Sequence, residues 1–319
     1  MSGFSLTKEI VNAQNADTSS TIIGMLNAND HFLKLSKFEG DLIHTRDVED
    51  DTKLAAGIKI GVDRGSLDAN HVAEPYKTID VMGKTPQDVC DIILADVGES
   101  AQSGALLVFC GLSGTGKGTT VTLLSGSLPN CVTWSNGNIF RSITLLAVAW
   151  CEQNGMSEFD ASRALSDDNI RSFLSMLSFE KVDGQWQVVI NGLGINTTVS
   201  KIQNTDLKSP RVSKNIPTVA QQTQGEVIAF ARTALEKMRA DGHNILLEGR
   251  EQTVNYMPTP YRYTLTISDS TLLGKRRAAQ RLGAAVQTEA NKQPSGGEEA
   301  DLALLLEEQL VAMVAEANL

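Results

Sequence analysis

The stretch from Ala105 to Val121, ALLVFCGLSGTGKGTTV, limits what this chain can fold into more than any other. Its apolar opening, Ala105 to Cys110, is short and unbroken, as in a parallel strand buried on both faces. Gly111, Gly114 and Gly116 follow, then Lys117, after which the pattern turns helical. Strand, glycine-rich turn and helix, with G-x-x-x-x-G-K over Gly111 to Lys117, aim several backbone N–H groups and a helix N-terminus at one anion. Gly111, Leu112, Ser113, Gly114, Thr115, Gly116, Lys117 and Gly118 form the expected phosphate loop, with Lys117 set to reach the β- and γ-phosphates. The usual Ser/Thr after the lysine is Gly118 here, with Thr119 and Thr120 next.

Charge and hydropathy narrow the class. A net charge of −10 argues against a general nucleic-acid or membrane-surface binder. No apolar run approaches the roughly 20 residues that span a bilayer. The opening MSGFSLTKEIVNAQ has neither a signal-peptide core nor an Arg-rich transit pattern, so the expected compartment is the cytoplasm. Cys90, Cys110, Cys131 and Cys151 form no C-x-x-C pair and read as buried thiols. His31, His44, His71 and His243 are scattered and read as solvated or core histidines. At 319 residues the chain can bury a large core, as one large domain or two smaller ones.

Residues 5–28 read as helical segments with a break near Asp17-Thr18-Ser19-Ser20. Apolar residues from Phe32 to Ile43 recur at helical spacing, weakened by Gly40. The run from Arg46 to Lys53, taken without context, is a solvated charged face. Residues 57–76 read as loop with a short strand at Ile58 to Val62. Tyr76 to Val81 is a strand. Thr85 caps and Pro86 opens a helix with Val89, Ile92, Ile93 and Val97 as its apolar stripe. Gly98 to Gly104 is a flexible connector into the phosphate-loop strand. Cys131 to Trp134, Asn244 to Glu248 and Tyr261 to Ile267 are further strands. Helices are expected from Lys117 to Ser125, Ile139 to Asn154, within Ser157 to Leu177, Ser213 to Ala240, Ser270 to Leu282 and Asp301 to Ala317. Gln293 to Gly297 is a loop. Turns at Asp183-Gly184 and Asn191-Gly192 divide an alternating stretch into a small antiparallel inserted sheet.

From Gly111 to Leu282 the chain resembles the cytidylate kinases, a branch of the nucleoside monophosphate kinases. The loop G-x-S-G-x-G-K-G-T, SNGNIFRSIT at 135–144, the inserted sheet with LKSPRVS after it, and LLEGRE at 246–251 carry the resemblance, as does Arg276-Arg277 at the start of a lid arm. That family continues with a lid motif R-D-x-x-D-x-x-R and a last strand and helix. Nothing after Leu282 fits them, but the front of the chain does. Arg46-Asp47-x-x-Asp50-x-x-Lys53 matches the lid with Lys in the last place, and the segment from Lys77 to Val89 resembles the last strand and helix. The order implies a circular permutation with new termini inside the lid arm, as permutation at exposed loops allows. The rival account is an unrelated N-terminal extension on a kinase that has lost its lid.

The resemblance implies a P-loop NTPase α/β fold of three layers, with a five-stranded parallel sheet, a small antiparallel monophosphate-binding sheet and a helical lid. It divides the chain into 1–75 (N-terminal helices and permuted lid segment), 76–151 (core), 152–216 (inserted region), 217–282 (core) and 283–319 (lid-arm helix). It implies transfer of the γ-phosphate of ATP, with Mg²⁺, to CMP or dCMP. Lys117, Arg141, Arg250 and Arg46 would be the catalytic charges. Arg276 and Arg277 would join the loop on ATP, with Thr119 near Mg²⁺. Asn136, Gly137, Phe140, Arg141, Arg250, Glu251, Arg46, Asp50 and Lys53 would hold the acceptor. A lysine at 53 keeps the charge and loses the guanidinium fork. The family's base-reading Ser and Arg fall on Pro217 and Glu226, with Thr218 or Arg232 as substitutes in a shifted register. These departures keep a second reading open: a catalytically weak or inactive nucleotide-binding protein whose N- and C-terminal helices, 1–28 and 283–319, dock a protein partner.

Overall fold

The computed structural model describes residues 5–112, 114–292 and 301–319. Three helices open the chain: α1 (Lys8–Ala13), α2 (Ala16–Leu26) and α3 (Asp30–Asp63). The break between the first two falls at Gln14 and Asn15, not at 17–20. Asn15 caps α2 by accepting from the backbone N–H groups of Asp17 and Thr18, so those polar residues start a helix instead of ending one. Helix α3 runs without interruption for 34 residues, about 50 Å at 1.5 Å per residue. The stretch 57–62 is therefore helix, where the sequence pattern suggests loop and strand.

Strand β1 (Lys77–Asp80) leads into α4 (Pro86–Val97), where Thr85 and Asp88 form a reciprocal capping box. Val89, Cys90, Ile93 and Val97 face inward, whereas Ile92 stays exposed. The connector at 98–104 is ordered as a 3₁₀ turn over Gly98–Gln102. Then come β2 (Leu106–Cys110), α5 (Lys117–Ser127), β3 (Cys131–Trp134), α6 (Gly137–Gln153), α7 (Ala161–Ala164) and α8 (Asp167–Ser175). The inserted hairpins are β4 (Leu177–Val182), β5 (Gln185–Gly192) and β6 (Ile195–Thr198). The second turn is Leu193-Gly194, both at positive φ, so Asn191-Gly192 belongs to β5. Short helices α9 (Val199–Ile202) and α10 (Pro210–Ser213) precede α11 (Ile216–Ala240), which kinks at Thr223. The chain closes with β7 (Asn244–Glu248), α12 (Glu251–Val254), β8 (Tyr261–Thr266), α13 (Thr271–Ala290) and α14 (Leu302–Glu316). The loop expected at 293–297 lies outside the described residues.

The five parallel strands lie in the order β1-β8-β2-β7-β3, and β4-β5-β6 form a separate antiparallel sheet. The fold is α/β. Alternation along β2 sorts the core: Leu107 and Phe109 pack with α4 and α5 on one face, and Leu106, Val108 and Cys110 pack with α11 on the other. A separate apolar cluster joins α1, α2, the first turns of α3, α13 and α14, bringing both ends of the chain together.

Helix α3 ties these parts together. One end crosses α13 at Gly40 and Gly274; the other crosses α11 at Gly61 and Gly225. A Cβ on Gly61 would stand 2.8 Å from the Gly225 Cα. Gly61→Ala is therefore expected to cost about 1–3 kcal/mol by overpacking. The check is urea unfolding with a lowered midpoint and an unchanged slope. An unchanged midpoint would mean the crossing tolerates separation.

Candidate functional site

The glycine-rich turn leaves the carboxyl end of β2, the central strand. Gly111 sits at φ 127°, and a Cβ there would collide with the Leu265 carbonyl of β8, so no other residue fits. Gly116, at φ 92°, is the N-cap of α5. The Lys117 side chain folds back over the turn, its Nζ donating to the Gly111 carbonyl at 2.8 Å and the Leu112 carbonyl at 2.9 Å. Thr115 Oγ1 donates to the Leu112 carbonyl at 2.9 Å and braces the same curl. Ser113 lies outside the described residues. Burial pushes the Lys117 ammonium below the usual lysine range, and Glu248 acts against that shift.

The turn floors a cavity of about 550 Å³. Lys117 and Gly111 line one side, Glu248 and Arg250 from the end of β7 another, and Trp134 and Asn138 a third. Arg250 binds back to α3: its Nη2 donates to Asp47 Oδ1 at 2.6 Å and to Asp50 Oδ2 at 3.3 Å. The Asp47 side chain is only 4% exposed, and its hydrogen bond raises the Arg250 pKa above the usual arginine value. Arg46 comes within 3.8 Å of Asp47. Residues 203 positions apart in the chain thus meet at the cavity's edge.

Other expected residues divide by distance from this point. Arg276 on α13 reaches the turn, Nη1 to the Gly114 carbonyl at 3.3 Å. Arg277 does not: with Arg281 it faces the buried carboxylate of Glu39 on α3. Asn136 accepts from the Trp134 indole at 2.7 Å. Gly137 opens α6 beneath the Arg141 guanidinium, where a Cβ would lie 2.8 Å from Nη1. Among the described residues Arg141 makes no hydrogen bond or ion pair. Phe140 packs into the core around α6. Gly118 and Thr119 stand on the exposed side of the first turn of α5, and Glu251, exposed, opens α12.

Lys53 points to solvent, 3.9 Å from Glu49. Pro217 and Thr218 are exposed at the start of α11. Glu226 turns toward Ser66 and Arg64, and Arg232 pairs with Glu236 at 3.1 Å. None of these five lines the cavity.

The structure adds Glu248, Asp47, Trp134, Asn138 and Gln203 to the site. Glu248 was within reach of sequence reasoning. It ends the strand beside β2, where a carboxylate faces whatever the turn holds. Among the described residues no group of three or more His, Cys, Asp or Glu could hold a metal ion. A Mg²⁺ here would take most of its ligands from phosphate and water, with Glu248 as the carboxylate that lines the cavity; Thr119, expected to be near it, does not line the cavity. Among the described residues no helix is long and apolar enough to cross a membrane.

No protein-family model matches the chain, and no curated protein matches it.

Proposed function

We propose that the chain binds ATP at the glycine-rich turn, as a P-loop NTPase does, and transfers the γ-phosphate to a nucleoside monophosphate, CMP or dCMP being the expected acceptors. The observation that carries this reading is the meeting of Asp47 and Asp50, next to Arg46 in the chain, with Arg250 at the edge of the cavity above Lys117. A front-of-chain extension unrelated to the site has no reason to place its one R-D-x-x-D segment there. The sheet order supports the permuted arrangement. β1 pairs in parallel with β8, supplying from the front an edge strand that the described residues after α13 do not contain.

Phosphoryl transfer needs two anions held in line and their charge neutralised, more than it needs covalent chemistry. Lys117 and Arg276 stand on the donor side and the turn's N–H groups cradle the β- and γ-phosphates. Arg250, Arg46 and Arg141 stand toward the acceptor phosphate. Mg²⁺, when bound, would offset charge between the β- and γ-phosphates. Both carboxylate contacts of Arg250 use Nη2, leaving Nη1 and Nε to meet the acceptor phosphate. Glu248 acts against the burial that lowers the Lys117 pKa.

Coupled ADP release, measured with CMP, dCMP, UMP and AMP in turn, tests the assignment. Turnover with at least one acceptor is expected. ATP binding without turnover on any of them would leave the second reading, a nucleotide-binding component docked through its terminal helices. The two carboxylates already on Arg250 and the outward Lys53 favour that second reading.

A further inference from the structure

A second cavity, of about 500 Å³, opens beside the first and shares Trp134, Asn138 and Gln203 with it. It lies between the β3–α6 junction and the inserted sheet. Its chemistry differs from that of its neighbour. Phe179 stacks on Trp186 with centroids 5.1 Å apart, and Trp134 meets Phe179 edge-on at 5.5 Å. The polar lining is amides (Asn138, Gln185, Gln187, Gln203), hydroxyls and His243, and no Asp, Glu, Lys or Arg contributes among the described residues. On the shared wall Asn138 Nδ2 donates to Gln203 Oε1 at 3.2 Å. That bond leaves Asn138 Oδ1 and Gln203 Nε2 unused among the described residues, an acceptor and a donor side by side.

We propose that the base of the acceptor nucleotide occupies this second cavity, against Trp134, and is read by the Asn138–Gln203 amide pair. The inference rests on the kinase reading above and locates the acceptor's specificity within it. A nucleoside monophosphate is bipolar: a phosphate dianion at one end, a flat neutral base at the other. The paired cavities are bipolar in the same sense, with Lys117 and Arg250 in one and aromatic rings in the other. The Watson–Crick edge of every base presents a hydrogen-bond donor next to an acceptor, the complement of the unused amide ends. The positions expected to read the base, Pro217 and Glu226, line neither cavity, and neither do Thr218 and Arg232. The task therefore falls to other residues.

Gln203→Glu and Gln203→Leu test the proposal. Glutamate removes the donor and leaves only acceptors, so it favours a base offering an amino group over one offering a keto oxygen. Expected is a shift of about tenfold or more in the ratio of kcat/KM for CMP over UMP, the size of one good base contact. The KM for ATP should stay within about twofold. Leucine should flatten the discrimination between CMP and UMP. Quenching of tryptophan emission by CMP, from Trp134 and Trp186 in the lining, reads acceptor binding without turnover; it should weaken in Gln203→Leu, and in Gln203→Glu it should favour CMP over UMP. With ATP binding intact, a CMP:UMP ratio and quench unmoved in both variants, or changed in parallel for every acceptor, would overturn the slot alone. Failure of the unaltered chain to bind ATP would overturn the kinase reading and the slot together.

Discussion

Lys117→Ala is expected to lower kcat for phosphoryl transfer by about 10²–10³-fold, the usual loss for one preorganised charge at a developing anion. The fold should survive. Among the described residues the Lys117 ammonium bonds to the Gly111 and Leu112 carbonyls, which regain water in the variant. The curl of the turn is held separately by Gly111 against β8 and by Thr115. The loss should therefore appear in kcat, with circular dichroism and urea midpoint near those of the unaltered chain. Lys117→Arg should not rescue it. A guanidinium is planar and wider than an ammonium, and the pocket between the two carbonyls is shaped for a point charge. Turnover unchanged in Lys117→Ala would remove the glycine-rich turn from the mechanism.

The strands and the turn were legible because their signals are local. Leu106 to Cys110 and Asn244 to Glu248 are short apolar runs ended by glycine, and a buried parallel strand leaves just that trace. Helix α3 was not legible over its second half, for an equally physical reason. Gly57 and Gly61 lower intrinsic helix propensity by about 1 kcal/mol each relative to alanine. What keeps them helical is the close crossing with α11, a contact between segments some 160 residues apart. The charged stretch 46–53 misleads in the same way. Its composition is that of a solvated face, yet Ile43, Asp47 and Gly57 form one buried stripe whose polar member exists to meet Arg250. The Asn138–Gln203 contact joins two loop-adjacent amides 65 positions apart, and no periodicity announces such a pair. The arginines themselves were legible by resemblance. Their sorting was not, because Lys53 and Arg277 are drawn to neighbours on helices, Glu49 and Glu39, that only packing defines.

Asp47→Ala is expected to cost about 2–3 kcal/mol of stability, less than the 3–5 kcal/mol of a fully buried pair because Arg250 keeps some contact with water. Asp47 is the carboxylate through which α3 grips the end of β7, and its side chain is almost wholly buried. Removal leaves the Arg250 guanidinium beside a small void, with the longer 3.3 Å contact to Asp50 as its remaining ion pair. The check is the urea midpoint of Asp47→Ala, Arg250→Ala and the double variant. A coupling energy near 1 kcal/mol or more identifies the pair as the source, whereas additive losses would place the cost in packing alone. Activity should move the other way at the acceptor step. The carboxylates of Asp47 and Asp50 occupy Nη2, and an incoming phosphate dianion must share the guanidinium with them. Freed of Asp47, Arg250 should bind the acceptor more tightly, seen as a lower KM for CMP in Asp47→Ala while Arg250→Ala raises it. Stability and acceptor affinity are thus set against each other by one side chain: α3 is held in place by a group that competes with the substrate for the same charge. A variant that is less stable and no tighter for CMP would show that Arg250 serves the fold and leaves the acceptor phosphate to Arg46 and Arg141.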